Sequence, residues 1–218
     1  MDRLDFIASL TKGVDSVVDC GCDHAYTLIN CIKKYDVKKG LGLDINQGPL
    51  DQAKKNVLEN NLSDKIDLEL ADGLTSYDKN YDCLIISGIG GSLMTEILDY
   101  DVEVTRTFKR LILSPHNDTN KVRFFLINNN FRIVDEYMIE ENNHIYEIIV
   151  ATNEKLNRKY DFYDLKFGPV LRVKKPELFI KKYTTLLEQT NKALESATDS
   201  EQITRLKMTK AMLEEILA

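Results

Sequence analysis

Short apolar runs alternate with amphipathic stretches through the first 153 residues of the chain. Five runs are rich in apolar and β-branched residues and are followed by turn residues, which is typical of buried strands; they cover residues 16–19, 40–44, 66–70, 81–87 and 110–113. Apolar residues three and four positions apart predict helices over residues 2–11, up to about residue 34, and over 48–58, 92–98 and 120–127. This alternation predicts an α/β domain whose parallel sheet is covered on both faces.

Two further strands are predicted near the end of this domain. They cover residues 131–138 and 145–151, and the acidic, Asn-rich residues 140–143 lie between them. Strands this close in sequence form a hairpin, and such a hairpin adds an antiparallel strand to a parallel sheet. We therefore expect the sheet to end in a closing β-hairpin.

Residues 154–218 have a different pattern. The periodicity lapses between residues 155 and 175, where Phe167-Gly168-Pro169 marks a turn. Two amphipathic helices follow; Pro176 opens the first, and a polar break at residues 198–200 separates them. This spacing predicts an antiparallel coiled-coil helical hairpin. The chain thus divides into an α/β domain, residues 1–153, and a linker with a C-terminal helical hairpin, residues 154–218.

Charge is distributed unevenly along the chain, whose formal net charge is -6. Residues 1–153 carry 16 Lys and Arg against 25 Asp and Glu, whereas residues 154–218 carry 13 against 10. The acidic domain does not indicate a polyanionic partner, and the mildly basic tail permits one. No apolar run approaches the roughly 20 residues that cross a bilayer, and the amino terminus lacks the features of a secretion signal. We expect a cytoplasmic protein with no membrane partner.

The cysteines and histidines do not indicate a metal site. The sequence contains four cysteines, which are Cys20, Cys22, Cys31 and Cys83. They include no Cys-x-x-Cys pair, so their spacing does not match the common metal-binding patterns. The three histidines lack ligand-like spacing as well. We predict buried, reduced thiols and no metal.

Carboxylates, glycines and hydrogen-bond donors gather where the predicted strands end. In open parallel sheets, ligands bind outside the carboxyl ends of the strands. Singly, such residues have simpler explanations, since an aspartate can cap a helix and glycines can form a tight turn. Their concentration at one edge favours a ligand site. The residues predicted to bind the ligand are Asp19, Gly21, Asp23, His24, Asp44, Asp72, Gly73, Leu74, Ser87, Gly88 and Gly90.

The turn after the first strand favours one cofactor over another. An acidic residue after the second strand, here Asp44, commonly binds ribose hydroxyls in both nicotinamide and sulfonium cofactors. The turn reads Gly-x-Asp-His-Ala instead of Gly-x-Gly-x-x-Gly, and Asp19 and Asp23 would repel a pyrophosphate. The same carboxylates suit an ammonium and a sulfonium cation, while Asp72 and the amide of Leu74 suit an adenine ring. S-adenosylmethionine is therefore favoured, with NAD as the alternative.

Four segments together resemble the bacterial TrmK family. They are residues 19–26 (Asp-Cys-Gly-Cys-Asp-His-Ala-Tyr), 42–53 (Gly-Leu-Asp-Ile-Asn-Gln-Gly-Pro-Leu-Asp-Gln-Ala), 71–74 (Ala-Asp-Gly-Leu) and 87–91 (Ser-Gly-Ile-Gly-Gly). The resemblance covers nearly the whole chain, including the two-helix tail. It implies a Rossmann-like class I S-adenosylmethionine methyltransferase domain. It also implies methyl transfer to N1 of adenine 22 in the D-arm of tRNA.

Two positions depart from the family's pattern. Members usually have Gln-Pro-Asn after the fifth strand and a methionine between the glycines of the fourth turn, where this chain has Ser-Pro-His at residues 114–116 and Ile89. The first departure leaves open whether His116 or Asn117 contacts the target base. The catalytic candidates that the resemblance implies are Asp23, Ser87, His116 and Asn117.

The tail is expected to bind the tRNA, although a packing or dimerisation hairpin is the alternative. The candidate RNA-binding residues are Lys174, Lys175, Lys181 and Lys182. Other functions compatible with the sequence are methyl transfer to another RNA, to a small molecule or to a protein, a dehydrogenase, and a non-catalytic RNA-binding module. We expect a monomer rather than a stable oligomer.

Overall fold

The structure is a computed structural model that describes residues 2–75, 77, 80–154 and 159–218. Its strands are β1 (Ser16–Cys20), β2 (Lys39–Asp44), β3 (Ile66–Leu70), β4 (Cys83–Ser87), β5 (Arg110–Ser114), β6 (Arg132–Glu141) and β7 (His144–Thr152). Its helices are α1 (Arg3–Ser9), α2 (Tyr26–Lys34), α3 (Gln47–Glu59), α4 (Gly91–Tyr100), α5 (Val102–Thr107), α6 (Thr119–Asn128), α7 (Phe162–Phe167), α8 (Leu171–Lys174), α9 (Glu177–Ser196) and α10 (Ser200–Leu217).

The seven strands form one mixed sheet in the order β3-β2-β1-β4-β5-β7-β6. Strands β1 to β5 are parallel, and β7 is antiparallel to both of its neighbours, β5 and β6. The predicted α/β fold with its closing hairpin is therefore confirmed. The strand order reverses between β1 and β4, which is the point where open parallel sheets bind ligands.

Two hydrophobic clusters cover the two faces of the sheet. Val17 and Ile85 belong to one cluster, whereas their neighbours Val18 and Leu84 belong to the other, and all four are fully buried. Successive strand residues point to opposite faces, so a strand buried on both faces needs an unbroken apolar run. This requirement explains why the strands are visible in the sequence as short apolar runs.

The closing hairpin is longer than predicted. Strand β6 continues through Glu141 and β7 begins at His144, so only Asn142 and Asn143 form the turn. Both asparagines have positive φ angles, 51° and 60°. Positive φ at both central residues is characteristic of a type I′ turn, whose twist matches that of the flanking strands. The acidic, Asn-rich residues 140–143 are therefore not a four-residue loop, because the first two of them extend the ladder.

Residues 161–170 are ordered by hydrogen bonds that the hydrophobic pattern does not reveal. Helix α7 begins with a capping box, in which Asp161 Oδ1 accepts from the Asp164 amide at 2.7 Å and Asp164 Oδ2 accepts from the Asp161 amide at 3.1 Å. Two orphan donors at the helix start are thereby satisfied. A short helix thus forms where the sequence indicates only a lapse in periodicity.

A buried ion pair fixes the chain after α7. The guanidinium of Arg123 donates to Glu136 Oε1 at 2.7 Å and to Glu147 Oε2 at 2.6 Å. Glu136 Oε2 also accepts from the Val170 amide at 2.8 Å. A Cβ at Gly168, whose φ is +92°, would lie 2.6 Å from Glu136 Oε2. Glycine is therefore required where this segment passes over the ion pair.

The chain forms two compact units, residues 1–170 and 171–218. This division lies after residue 170, whereas the sequence places it after residue 153, because residues 165–170 are bonded to Arg123 of α6 and Glu136 of β6. In the second unit, α9 and α10 pack against each other, and Asp199 caps α10 by accepting from the Gln202 amide at 2.7 Å. The predicted pair of C-terminal helices is present; coiled-coil geometry stays a prediction. Among the described residues, no helix combines the length and apolarity of a membrane span.

The position of Gly168 leads to a stability prediction. Gly168→Ala should lower the free energy of unfolding by about 3–5 kcal/mol, because the new methyl group meets the buried ion pair and also strains the backbone. Gly13→Ala is the matched control, since Gly13 has φ +87° but a Cβ added there would meet nothing within 4 Å. The control should lose only about 1–2 kcal/mol. Denaturant unfolding measures both, and equal losses would show that the ion pair adjusts without cost.

Candidate functional site

A cavity of about 620 Å³ opens at the carboxyl edge of the sheet. The ends of β1, β2, β3 and β4 form its floor, and the first turns of α1, α2 and α4 contribute to its walls. Nine of the eleven residues predicted to bind the ligand line it, namely Asp19, Gly21, Asp23, His24, Asp44, Asp72, Gly73, Ser87 and Gly88. The topology therefore brings most of the predicted set into one place.

The first turn is closed by hydrogen bonds to the end of β2. The amides of Gly21 and Cys22 both donate to the carbonyl oxygen of Leu43, at 2.8 and 2.9 Å. The Asp23 amide donates to Asp44 Oδ2 at 3.1 Å. A pyrophosphate site at a helix start needs amides that point at the ligand. In this turn the amides are already used within the protein, which supports the preference for a cofactor without a pyrophosphate.

Asp44 is held in a defined orientation at the rim of the cavity. Its Oδ1 accepts from the Asn46 amide at 2.9 Å, while its Oδ2 accepts from the Asp23 amide. A carboxylate offers about four acceptor positions, so two remain for ligand hydroxyls. Ile45, which follows Asp44, is 59% exposed and also lines the cavity. A carboxylate next to an exposed apolar side chain suits a ribose joined to a purine.

Asp19 is the most unusual group in the cavity. It is 2% exposed, and its Oδ1 has no hydrogen-bond partner among the described residues. Burial, followed by the charges of Asp44 and Asp23, raises the pKa of Asp19 from 3.8 to about 8. A buried carboxyl with an unused oxygen is costly unless a ligand satisfies it. A cationic ligand group such as an ammonium fits this position, because it supplies both a donor and the missing positive charge.

The glycines of the fourth turn have two different roles. Ser87 and Gly88 line the cavity, and Gly88 has a φ of +78°. In contrast, Gly91 faces the loop after β5, where its amide donates to the Asn117 carbonyl oxygen at 3.1 Å and a Cβ would lie 2.6 Å from the Asp118 carbonyl oxygen. Gly90 likewise faces Asn117, since a Cβ there would lie 3.1 Å from Asn117 Oδ1. The sequence predicts that Gly88 and Gly90 bind the ligand, but Gly90, like Gly91, lies against the neighbouring loop instead.

Two predicted ligand residues, Gly90 and Leu74, lie outside the described lining of the cavity. The Leu74 side chain is 2% exposed and belongs to the hydrophobic core, because the chain turns inward after Gly73. A ligand contact through the Leu74 amide stays a prediction.

The four catalytic candidates divide into two pairs. Asp23 and Ser87 line the cavity, and the Asp23 side chain is 66% exposed with its Oδ1 3.6 Å from His24 Nδ1. His116 and Asn117 are not part of its described lining. The His116 amide nevertheless donates to the carbonyl oxygen of Ile89, a lining residue, at 2.8 Å. The loop after β5 therefore borders the cavity from outside.

Sequence reasoning missed the contribution of α1. Arg3 and Leu4 line the cavity, and Arg3 Nε lies 3.4 Å from Glu141 Oε2. The sequence predicts a helix over residues 2–11 but does not indicate that its first turn reaches the cavity at the carboxyl edge of the sheet. The packing of α1 beside α2 brings these residues to the cavity.

The candidate RNA-binding lysines lie in the second compact unit. Lys174 ends α8, Lys175 follows in the left-handed region with φ 43°, and Lys181 and Lys182 lie in the first half of α9. Lys174 and Lys181 are exposed, as phosphate contacts require. Their assignment to RNA binding stays a prediction.

A second, larger cavity of about 840 Å³ lies between α4, α6 and α7. Its described lining contains none of the predicted site residues and no strand end. Size alone therefore does not identify the ligand site, and the smaller cavity has the matching chemistry. Among the residues that the structure describes, no group of three or more His, Cys, Asp and Glu could hold a metal ion.

Comparison with known proteins identifies the family. The family described as TrmK, tRNA (adenine(22)-N(1))-methyltransferase, matches residues 17–217. The chain is 30% identical over 208 residues to the tRNA (adenine(22)-N(1))-methyltransferase of Bacillus subtilis, covering 92% of this chain and 87% of that protein. The crystal structure of B. subtilis TrmK has a TM-score of 0.87 at 26% identity and covers 100% of this chain and 98% of its own.

A further solved structure bears on the cofactor. The Streptococcus pneumoniae protein Sp1610 in complex with S-adenosyl-L-methionine has a TM-score of 0.89 at 30% identity, covering 99% of this chain and 98% of its own. The predicted resemblance, fold, enzyme class and S-adenosylmethionine cofactor are confirmed by these matches. The chain belongs to the TrmK family, the tRNA (adenine(22)-N(1))-methyltransferases.

Proposed function

We propose that the cavity at the carboxyl edge is where this chain methylates N1 of adenine 22 in the D-arm of tRNA. The observation that supports this placement most strongly is the buried carboxyl of Asp19, whose Oδ1 has no hydrogen-bond partner among the described residues and suits the ammonium group of S-adenosylmethionine. When bound, S-adenosylmethionine supplies an electrophilic methyl group on a sulfonium centre.

Different residues of the cavity bind different parts of the cofactor. Asp19 accepts hydrogen bonds from the cofactor's ammonium group, and a charge-assisted bond of this kind is among the stronger ones in proteins. Asp44, already oriented by the Asn46 and Asp23 amides, binds the ribose hydroxyls. Asp72 and Gly73, at the end of β3, border the adenine ring.

The reaction makes modest chemical demands on the protein. Adenine N1 has an in-plane lone pair and needs no general base. It would attack the sulfonium methyl carbon, so that the N1–carbon bond forms as the carbon–sulfur bond breaks and a neutral thioether leaves. The product ring is cationic, and the exposed carboxylate of Asp23 lies at the cavity to stabilise the developing charge. Ser87 holds the base in line, and this alignment supplies most of the rate. Because N1 lies on the pairing edge, the adenine must leave its stack before it reacts.

The tail contributes affinity for the tRNA backbone. Lys174, Lys175, Lys181 and Lys182 are clustered within nine residues of a segment that is basic overall. Clustered cations bind phosphates without reading the base sequence. We further propose that the chain acts in the cytoplasm as a monomer and without a metal ion.

The modified position tests the proposed reaction directly. The protein should transfer radiolabelled methyl groups from S-adenosylmethionine to a tRNA transcript that carries adenine at position 22, and not to the same transcript with guanine there. Mapping the modified nucleotide identifies N1-methyladenine. Equal labelling of both transcripts would instead support another RNA target, and the absence of labelling would support a non-catalytic RNA-binding module.

Asp19 provides a test of the cofactor site. Asp19→Asn keeps the size of the side chain but removes its charge, so S-adenosylmethionine binding should weaken by about 1.5–3 kcal/mol, or roughly 10- to 150-fold. Titration calorimetry measures this change. Asp82→Asn is a suitable control, because Asp82 lies at the opposite edge of the sheet and pairs with Lys109 at 2.6 Å. Wild-type affinity in Asp19→Asn would remove Asp19 from the site.

Asp19→Asn should also change how the stability of the cofactor-free protein depends on pH. The folded-state pKa of Asp19, about 8, lies above its ordinary value of 3.8, so the folded protein binds this proton more tightly than the unfolded chain does. Stability from this group is therefore present at low pH and is lost as pH rises from about 4 to 8. Asp19→Asn should remove that loss, so its melting temperature relative to wild type should increase across this range. A constant difference would contradict the assignment.

The tail is tested by its salt dependence. Lys174→Glu combined with Lys181→Glu should weaken tRNA binding and reduce the slope of log K against log salt by about 1 for each phosphate that is no longer bound. Lys54→Glu together with Lys55→Glu, on the exposed side of α3, is the matched control. It should change the tRNA affinity and the salt slope less than the tail variant does. An unchanged slope in the tail variant would favour the packing or dimerisation role.

A further inference from the structure

Three aromatic rings and one guanidinium form a cluster at the carboxyl edge of the sheet. The His116 and His144 rings are parallel within 9°, and their centroids lie 4.9 Å apart. Tyr146 meets His144 edge-on, with an interplanar angle of 66° and ring centroids 4.4 Å apart, and the Arg3 guanidinium lies 4.6 Å from the Tyr146 centroid. We refer to these four side chains, Arg3, His116, His144 and Tyr146, as the edge stack.

The edge stack borders the cofactor cavity at two points. His116 is bonded through its amide to Ile89, and Arg3 itself belongs to the lining. Strand β7 pairs with β5 only at residues 149–151, so residues 144–147 extend past the carboxyl end of β5. The closing hairpin thereby carries His144 and Tyr146 beyond the sheet, to the loop that contains His116.

Core packing does not explain these rings. His116 and His144 are exposed, and Tyr146 is half-buried. Stacked rings at the surface keep apolar area in contact with water, which is unfavourable unless a ligand covers it. The position beside the cavity indicates that this ligand is part of the substrate rather than the cofactor.

The charges around the edge stack favour a base over a phosphate. Arg3 lies 3.4 Å from Glu141 Oε2, which offsets its positive charge, and Glu140 and Glu141 make the tip of the hairpin acidic. Such a surface repels the phosphate backbone. Imidazole, phenol and guanidinium groups, however, are the side chains on which proteins stack unpaired RNA bases.

We propose that the edge stack is a stacking surface for an unpaired base of the tRNA D-arm, which it positions while the target adenine occupies the cavity. This inference rests on the proposed placement of the reaction at the carboxyl edge. His144 is then a positioning residue, because it acts by holding the RNA and not by contacting the reacting atoms. The interaction depends on ring stacking and is therefore nearly independent of salt, unlike the phosphate binding of the tail lysines.

The test compares two substitutions at His144. His144→Ala removes the ring and should raise the KM for tRNA about fivefold or more, because losing the stacking of one base weakens binding by at least that factor. His144→Phe keeps a flat ring and should restore KM to within about twofold of wild type, given the shared stacking face. The slope of log KM against log salt should be the same for wild type and both variants.

Two controls exclude indirect effects. Calorimetry should give the same S-adenosylmethionine affinity for wild type and both His144 variants, and their melting temperatures should agree. Tyr100→Ala removes a ring that is 66% exposed at the far end of α4, on the opposite edge of the sheet, and should leave the KM for tRNA unchanged. A change in cofactor affinity with His144→Ala would place His144 in the cofactor site and overturn the proposal.

The remaining outcomes separate this proposal from the function itself. An unchanged KM in His144→Ala, with wild type methylating adenine 22, would overturn the edge stack and leave the function intact. An equal increase in the KM for tRNA in His144→Ala and His144→Phe would overturn stacking, since the imidazole nitrogens would then be essential. If the wild-type protein does not methylate adenine 22, filter binding measures the affinity of the same tRNA for wild type, His144→Ala and His144→Phe. A tRNA affinity that falls in His144→Ala and is restored in His144→Phe supports the edge stack. Equal affinities of the three proteins overturn it.

Discussion

The site depends on the way the end of β2 holds the end of β1. The Leu43 carbonyl oxygen accepts from two consecutive amides of the first turn, and Asp44 accepts from the third. These bonds use the donors that a phosphate would need and leave carboxylates as the available groups at this corner. A cationic, sulfonium-containing cofactor is therefore favoured here by the backbone as well as by the side chains.

This arrangement makes the unliganded site electrostatically unfavourable. Asp19 is buried near Asp44 and Asp23, and its pKa is raised to about 8 by desolvation and by these two charges. A positive ligand compensates for both effects, because its charge stabilises the ionised carboxyl, and this favours a cation at the corner. In the proposed site, ligand binding at this corner is maintained at the expense of stability, as is common for binding sites with buried ionisable groups.

Buried polar contacts elsewhere hold the surroundings of the site in place. Arg123 joins α6 to the closing hairpin through Glu136 and Glu147, and Glu136 also fixes the chain beyond α7. The same hairpin carries His144 and Tyr146 past the carboxyl end of β5. The hairpin that carries the edge stack is therefore held by strand pairing with β5 and by this ion pair with α6.

The sequence by itself determined the α/β class, the closing hairpin, the C-terminal helices and nine of the residues that line the cavity, because strands buried on both faces require apolar runs and parallel strands bring their ends to one edge. The tertiary structure decided what local patterns do not encode. In the tertiary structure, Arg3 lines the cavity and the Leu74 side chain lies in the core. Gly90 and Gly91 face the loop that contains Asn117. The tertiary structure also ordered residues 161–170 against the ion pair of Arg123. Each of these depends on interactions between residues distant in sequence, which periodicity and spacing do not specify.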